Sequence, residues 1–253
     1  MSDKKSTKKS FRTEAKFTVI GKESGININA TDIDPIRWDT HKEQAKKIQK
    51  EVVSQVPGAF VLKNVLSPSE CRQFVEVSEK MGYVGALLTT SRGMVKDDMR
   101  NNKRVIYQTP PEFLRDTVWK RIEELCPEEV VLNHGRSKWK RCGLNERIRF
   151  YRYTGGESFQ PHYDGCYPRN DQERSFMTII IYLNDDKERK GGETNFFIRR
   201  GGMLKISVKP QEGMALLFFH SHPLSPLHEG SEVSAGSKYV LRSDVMYKRV
   251  IEE

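Results

Sequence analysis

Glu146-Arg147-Ile148-Arg149-Phe150-Tyr151-Arg152-Tyr153-Thr154-Gly155-Gly156 is the stretch that decides the fold. Charged or polar residues alternate with apolar and aromatic ones, the period-two pattern of a half-buried strand, and Thr154-Gly155-Gly156 then turns the chain. Downstream, Phe176 to Leu183 reads as a strand buried on both faces. Gly191-Gly192-Glu193-Thr194-Asn195-Phe196-Phe197, Leu204 to Val208, Gly213 to Phe219 and Lys238 to Tyr247 follow as further short strands. About seven short strands broken by Gly- and Pro-containing turns, with no helix between them, predict an all-β barrel or jelly roll.

Between the first two strands lies Gln160-Pro161-His162-Tyr163-Asp164-Gly165. Residues two apart on a strand project to the same side, so His162 and Asp164 are expected to share a face. His228, in Leu227-His228-Glu229-Gly230, is a third candidate ligand at the mouth of another apolar strand. Two imidazoles and one carboxylate take three corners of an octahedral iron and leave three for substrate and oxygen. A His-x-Asp match is weak by itself. His220 and His222, in Phe219-His220-Ser221-His222-Pro223, read as loop residues, and either is an alternative to His228.

Taken in order, the motifs are Tyr153-Thr154-Gly155-Gly156, His162-x-Asp164, Tyr182-Leu183-Asn184 and Gly191-Gly192-Glu193-Thr194-x-Phe196. Gly213-Met214-Ala215-Leu216-Leu217-Phe218-Phe219, His228 and Gly236-Ser237-Lys238-Tyr239 complete the series. Together they resemble the iron(II)/2-oxoglutarate dioxygenase superfamily, closest to its prolyl 4-hydroxylase type, from Gly58 to about Val250. The resemblance implies a mainly β (α+β) fold: a double-stranded β-helix, or jelly-roll, core buttressed by N-terminal helices, with the metal inside its open end. It implies iron(II) on His162, Asp164 and His228, 2-oxoglutarate as co-substrate, O2 as oxidant and ascorbate as the reductant of oxidised iron. The implied reaction hydroxylates a C–H bond and releases succinate and CO2. Aspartate at 164, in place of glycine or alanine, favours hydroxylation over the halogenating branch.

Lys238 stands where the prolyl 4-hydroxylase type has the lysine that takes the C5 carboxylate of 2-oxoglutarate. A buried ammonium is costly unless paired, so an anion is its natural partner. Arg242, farther along the same strand face, offers a bidentate fork instead. Relatives often have a smaller polar residue there, so the anchor stays open between the two. Tyr153 and Tyr182 match tyrosines that bond the co-substrate in relatives; plain core packing is the other reading of each.

At 253 residues the chain suits one catalytic domain with an N-terminal extension. Residues 1–40 read as that extension, basic and disordered or irregular, and 41–253 as the dioxygenase domain. Helical support is expected over about 41–130 and the β-helix core over about 145–250. His41 to Gln55 reads as an amphipathic helix and Ala59 to Leu62 as a strand. Ser67-Pro68-Ser69-Glu70 is a capping box that opens a helix to about Met81, and Thr109-Pro110-Pro111-Glu112 repeats that logic to about Cys126. The polar segment from Leu87 to Ile106 reads as a substrate lid or as a solvated connection.

No apolar run approaches the length of a membrane span, and the N-terminus lacks a signal-peptide core. Cys71, Cys126, Cys142 and Cys166, without Cys-x-x-Cys pairs, predict free thiols in a reducing compartment, cytoplasmic or nuclear. A net charge of +9, with Arg147, Arg149 and Arg152 near the expected site, favours an acidic protein segment or a nucleic acid as partner. No nucleic-acid-binding motif accompanies that charge. Three functions follow: a hydroxylase of prolyl or other side chains in a protein or peptide; a nucleic-acid oxidative demethylase, with Tyr83 and Tyr107 as base-stacking candidates; or a catalytically silent scaffold. The intact His162, Asp164 and His228 set argues against the last.

Overall fold

The computed structural model describes residues 36–39, 46–85, 88–90, 93–95 and 99–251. In chain order these form β1 (Gln49–Val52), β2 (Phe60–Lys63), α1 (Pro68–Met81), β3 (Val84–Gly85), β4 (Leu88–Thr90), β5 (Gly93–Val95) and β6 (Lys103–Gln108). A broken helical stretch follows: α2 (Pro111–Leu114), a π-helical turn (Arg115–Trp119), α3 (Lys120–Ile122) and a 3-10 turn (Glu123–Leu125). Next come β7 (Glu129–Leu132), β8 (Ser137–Leu144), β9 (Arg147–Thr154), β10 (Glu157–His162), β11 (Pro168–Asn170) and β12 (Glu173–Tyr182). The chain continues through β13 (Lys190–Gly191), β14 (Thr194–Arg199), β15 (Met203–Val208), β16 (Ala215–Phe219), β17 (Leu227–Ala235) and β18 (Ser237–Arg249).

All pairings are antiparallel. The major sheet runs β1-β2-β16-β12-β18-β9-β6-β3, with β11 on β12 and the β7–β8 hairpin on β18. The minor sheet runs β10-β17-β14-β15, with β13 on β17, and β4–β5 is a separate ribbon. Gly155 and Gly156 turn at φ of +49° and +88°, a region that suits glycine, and pass the chain from the major sheet to the minor one.

Two cores explain the hydrophobic pattern. Phe176, Ile179, Ile181, Leu217 and Leu241 face the helices, among Phe74, Phe113 and Leu114. Tyr151, Tyr153, Tyr182, Leu216, Phe218 and Val240 face the space between the sheets, with Phe196 and Val233 of the minor sheet opposite. The central major-sheet strands therefore bury both sides and read as continuous apolar runs. The jelly-roll core buttressed by helices is as expected.

The support is less helical than expected. Residues 40–45 lie outside the described residues, and Gln49–Val52 is a strand, not part of a helix from His41 to Gln55. It pairs with β2 from Gln49↔Lys63 to Val52↔Phe60, satisfying backbone groups at an otherwise open sheet edge. All four of its residues are exposed, so an amphipathic helix there would have had no apolar face to bury. Ahead of residue 40, Ile36 is buried, and Trp38 packs on Phe74 and Phe113 with ring centroids 5.6 and 5.3 Å apart.

α1 begins as its capping box dictates, with Ser67 Oγ accepting from the Glu70 amide at 3.1 Å and Glu70 accepting from the Ser67 amide at 2.9 Å. Thr109 does not cap. Its hydroxyl donates to the Glu146 carbonyl at 3.1 Å, and the helix after it breaks into the π-helical turn within four residues. Of the segment from Leu87 to Ile106, residues 87, 91–92 and 96–98 lie outside the described residues. Its later part docks along β10: the Gln160 amide donates to the Met99 carbonyl at 2.7 Å and the Ser158 amide to Asn101 Oδ1 at 2.7 Å.

Candidate metal centre

His162 is the last residue of β10, His228 is the second of β17, and the two are cross-strand partners. Asp164 lies beyond the strand end, so a shared strand face is not what brings it beside His162. The β10 pairing slips between Phe159 and His162, and Pro161 has no amide for the ladder; the chain leaves the sheet there. One nitrogen from each ring and one Asp164 oxygen lie within 4.8 Å of one another. His162 Nε2 is 3.6 Å from Asp164 Oδ1 and His228 Nε2 is 3.5 Å from Oδ2. Those gaps are too long for hydrogen bonds, so the three groups face a common point instead of bonding one another.

Backbone carbonyls set the tautomers. His162 Nδ1 donates to the Gln160 carbonyl at 2.8 Å and His228 Nδ1 to the Pro226 carbonyl at 3.1 Å. A carbonyl only accepts, so each ring carries its proton on Nδ1 and leaves the Nε2 lone pair for an ion. Burial pushes the His228 imidazole down to about 4, against the opposing pull of Asp164, which keeps it in the neutral, ligating form. Phe159 stacks on His162 at 3.6 Å between centroids, and Phe218 meets His228 edge-on at 4.6 Å.

Burial alone would raise the Asp164 carboxyl, but Arg242, His228 and His162 outweigh it and hold the group well below its ordinary range. Arg242 lies 2.9 Å from Oδ1, and Thr178 Oγ1 donates to Oδ2 at 2.7 Å. Having given its only proton, the Thr178 hydroxyl must accept at 3.0 Å from His220 Nδ1. His220 Nε2 then accepts from Ser175 Oγ at 2.8 Å, which itself accepts from the Tyr167 amide at 2.8 Å. His220, in the bend that follows β16, is thus a fully buried support behind Asp164 and not a member of the triad. His222 stacks on Phe219 and accepts from the Leu224 amide at 3.1 Å, away from the triad. Thr178 was legible as the polar residue inside an apolar strand; nothing in the spacing marked His220.

The triad opens onto a cavity lined by Tyr151, Tyr153, Thr194, Lys238, Val240 and Arg242 among others. At its deep end Lys238 is 3% exposed, with Nζ 5.0 Å from the Tyr153 ring centroid and 5.6 Å from that of Tyr182. No described acceptor bonds that ammonium, and burial, aided by Arg189 and opposed by Glu193, pushes it down to about 7. Tyr182 shares a 2.8 Å hydrogen bond with Thr194, and burial raises the phenols of Tyr153 and Tyr182. Thr194 is delivered by the Gly191-Gly192 turn, both at φ near +80°; a Cβ on Gly191 would stand 2.0 Å from the Glu232 carbonyl oxygen. A cation without a partner at one end and an ion-ligand set at the other fit a small dicarboxylate held against a metal ion. Lys238 and Tyr153 line the cavity with the Tyr182 ring beside Lys238, whereas Arg242 sits at the triad end, engaged with Asp164.

Elsewhere, Arg152 forks onto Glu79 of α1 at 2.8 Å on the opposite side of the sheet. Tyr107 is fully buried and Tyr83 packs on Tyr239 beneath Arg152, so neither is a free platform for a base.

Residues 148–243 match the family model of the 2OG-Fe(II) oxygenase superfamily. That match, the two-sheet roll and the triad support a 2OG-Fe(II) oxygenase, an oxidoreductase of a family dependent on iron(II), 2-oxoglutarate and O2. Within that class it is prolyl 4-hydroxylase-like. It is 29% identical over 232 residues to prolyl 4-hydroxylase 1 of Arabidopsis thaliana, spanning 81% of this chain and 76% of that protein. Probable prolyl 4-hydroxylase 3 of the same plant is 28% identical over 213 residues, 75% of this chain and 69% of that protein. The fold is shared with a solved prolyl hydroxylase from Trichoplax adhaerens, in complex with a hypoxia inducible factor oxygen degradation domain peptide fragment. That match has a TM-score of 0.53 and 20% identity, and covers 77% of this chain and 86% of that one. The demethylase and silent-scaffold readings are not favoured by these comparisons. No helix among the described residues is long and apolar enough to cross a membrane.

Proposed function

We propose that the protein hydroxylates a prolyl residue of a protein or peptide, with His162, Asp164 and His228 as iron ligands and Lys238 as the anchor of the distal 2-oxoglutarate carboxylate. One observation carries this reading: two imidazoles pinned through Nδ1 face an ionised carboxylate at the outer end of a cavity whose deep end holds an unbalanced ammonium. When bound with O2, iron(II) and 2-oxoglutarate supply C–H hydroxylation, with release of succinate and CO2 and with ascorbate as the reductant typical of the family. The chain's own part is orientation. Lys238 and Tyr153 fix one end of the dicarboxylate, and the bonded Tyr182–Thr194 pair closes the cavity floor. Ile180 and Val240 line its wall and exclude water, and Arg242 with Thr178 keeps Asp164 ionised and aimed.

A prolyl substrate is supported by the prolyl 4-hydroxylase relatives and by the peptide held in the Trichoplax structure. An acidic flank in that substrate is supported by the net charge of +9. The free thiols of Cys71, Cys126, Cys142 and Cys166 support work in a reducing compartment, cytoplasm or nucleus. The test is to incubate the protein with iron(II), 2-oxoglutarate and arrayed prolyl peptides. Succinate should form and one oxygen atom should appear on proline by mass spectrometry, and His162→Ala should form no succinate while keeping its circular dichroism. No succinate from the unmodified protein, or oxygen placed only on other residues, would refute the proposal.

A further inference from the structure

The sheet face beside the triad carries a cluster of arginines, of which Arg242 lines the cavity and holds Asp164. β6, β9 and β18 lie side by side, with Arg149 opposite Arg242 and, two residues along β9, Tyr151 opposite both Arg104 and Val240. Side chains two apart on a strand share a face, so Arg104, Arg149 and Arg242 look to the same side as Tyr151. Arg100 joins them from the segment docked on β10, its guanidinium 5.4 Å from the Phe159 ring centroid. The effect registers on Tyr151: burial would raise its phenol, yet these four arginines hold it below its ordinary value. Among the described residues the acids facing Arg149 and Arg242 are Asp164, a member of the triad, and Asp244, which Asn145 already bonds at 3.2 Å. Arg149 and Arg242 each come no nearer than 3.7 Å to Asp244. The buried side-chain Nη1 of Arg149, like the buried Nε of Arg242, has no hydrogen-bond acceptor among the described residues. Two guanidinium nitrogens on the face beside the triad are therefore buried without an acceptor there, and planar forks of this kind suit a carboxylate.

We propose that Arg149, with the Nε edge of Arg242, forms a subsite for a substrate carboxylate, so that the residue oxidised lies next to an acidic group. This rests on the peptide-hydroxylase reading of the same site. The carboxylate is not the one held by Lys238: four residues of strand separate Lys238 from Arg242, roughly 13 Å along β18, beyond the reach of one five-carbon diacid.

The test uses dye-labelled proline peptides and the full chain loaded with iron(II) and 2-oxoglutarate under nitrogen, read by fluorescence anisotropy. One peptide has aspartate beside proline, one has the same aspartate at its far end, and one has asparagine beside proline. A fourth ends in a free prolyl carboxylate, and a fifth in its amide. The adjacent aspartate, or the free terminus, should bind about tenfold tighter than its matched controls, the change expected for a single charge-assisted contact. Arg149→Gln should bring that ratio to near one, while Arg149→Lys keeps part of it. Equal binding of the adjacent and far aspartates together with equal binding of acid and amide, or a ratio unchanged in Arg149→Gln, would overturn the subsite. Should Arg149→Gln not fold, the five-peptide comparison and Arg149→Lys still decide. Admitting air and measuring oxygen gain on the same peptides separates the two readings. Hydroxylation without the binding preference sinks only the subsite, and preference without hydroxylation sinks the prolyl assignment.

Discussion

Lys238→Met should make the ligand-free protein more stable while disabling it. The Lys238 ammonium is 3% exposed, bonds no described acceptor, and is pushed by burial from 10.5 to about 7. At about 1.36 kcal/mol per pH unit, that corresponds to roughly 5 kcal/mol of unfavourable burial, an upper value because local relaxation and water entry reduce it. The sign follows from proton linkage. The unfolded chain keeps the proton up to 10.5 while the folded one sheds it above about 7, so the penalty is full below about pH 7. It fades as pH rises and is gone above 10.5. Methionine has a similar length and no charge, so the variant should gain several kcal/mol at about pH 6.5, a rise in Tm on the order of 10 °C for a chain of this size. The gain should shrink towards about pH 10. Adding 2-oxoglutarate with metal should stabilise the unmodified protein and leave the variant unmoved. Paired thermal scans across pH, with and without the dicarboxylate, measure all of this. A variant less stable than the parent at about pH 6.5, or one still stabilised by 2-oxoglutarate, would refute the account of Lys238.

Three further outcomes are expected. Thr178→Val removes the donor to Asp164 Oδ2 and strands the His220 Nδ1 proton, so iron(II) affinity should fall about 10- to 100-fold in a metal titration; unchanged affinity would show that the hydroxyl does not aim the carboxylate. Arg242→Gln should let the Asp164 carboxyl rise towards its ordinary 3.8. A carboxyl held low contributes stability above its unfolded value and loses it on acidification. The metal-free variant should therefore be less stable at about pH 5 and lose less than the parent between about pH 4 and pH 2, read by urea midpoints. Glu70→Ala takes four hydrogen bonds from Arg121, Ser67 and Asp39 and removes the carboxylate from the buried Arg121, which keeps its bonds to the Val65 and Asp39 carbonyls, so a loss of about 3–5 kcal/mol is expected by urea unfolding, against about 1 kcal/mol for Ser67→Ala.

What could be read in advance was what depends on near neighbours. The box at Ser67 and Glu70 acts across three residues, and α1 starts and stops where it predicts. The apolar run of β12 announced a strand with two buried faces because both faces do meet cores. Gln49–Val52 misled because its state is decided by the free edge of β2, and helix-compatible residues there cannot reveal a partner strand. Thr109 misled in the same way, its hydroxyl preferring a carbonyl 37 residues away.

At the site, His162, Asp164, His228, Lys238 and Tyr153 line one cavity, with Tyr182 beside Lys238. The partner of Arg242 was not legible, since its distance to Asp164 depends on how the chain leaves β10. The support role of His220 depends on the direction of protons along Thr178, His220 and Ser175, which no spacing encodes.

The two histidines belong to the minor sheet and Lys238 and Arg242 to the major one, with Asp164 on the chain that crosses between them. Loading this pocket therefore rivets two walls that otherwise meet largely through apolar side chains and the Tyr182–Thr194 hydrogen bond. Emptying it should loosen the sandwich along that seam first, so a protease offered the unloaded protein should find its early cuts where one wall peels from the other.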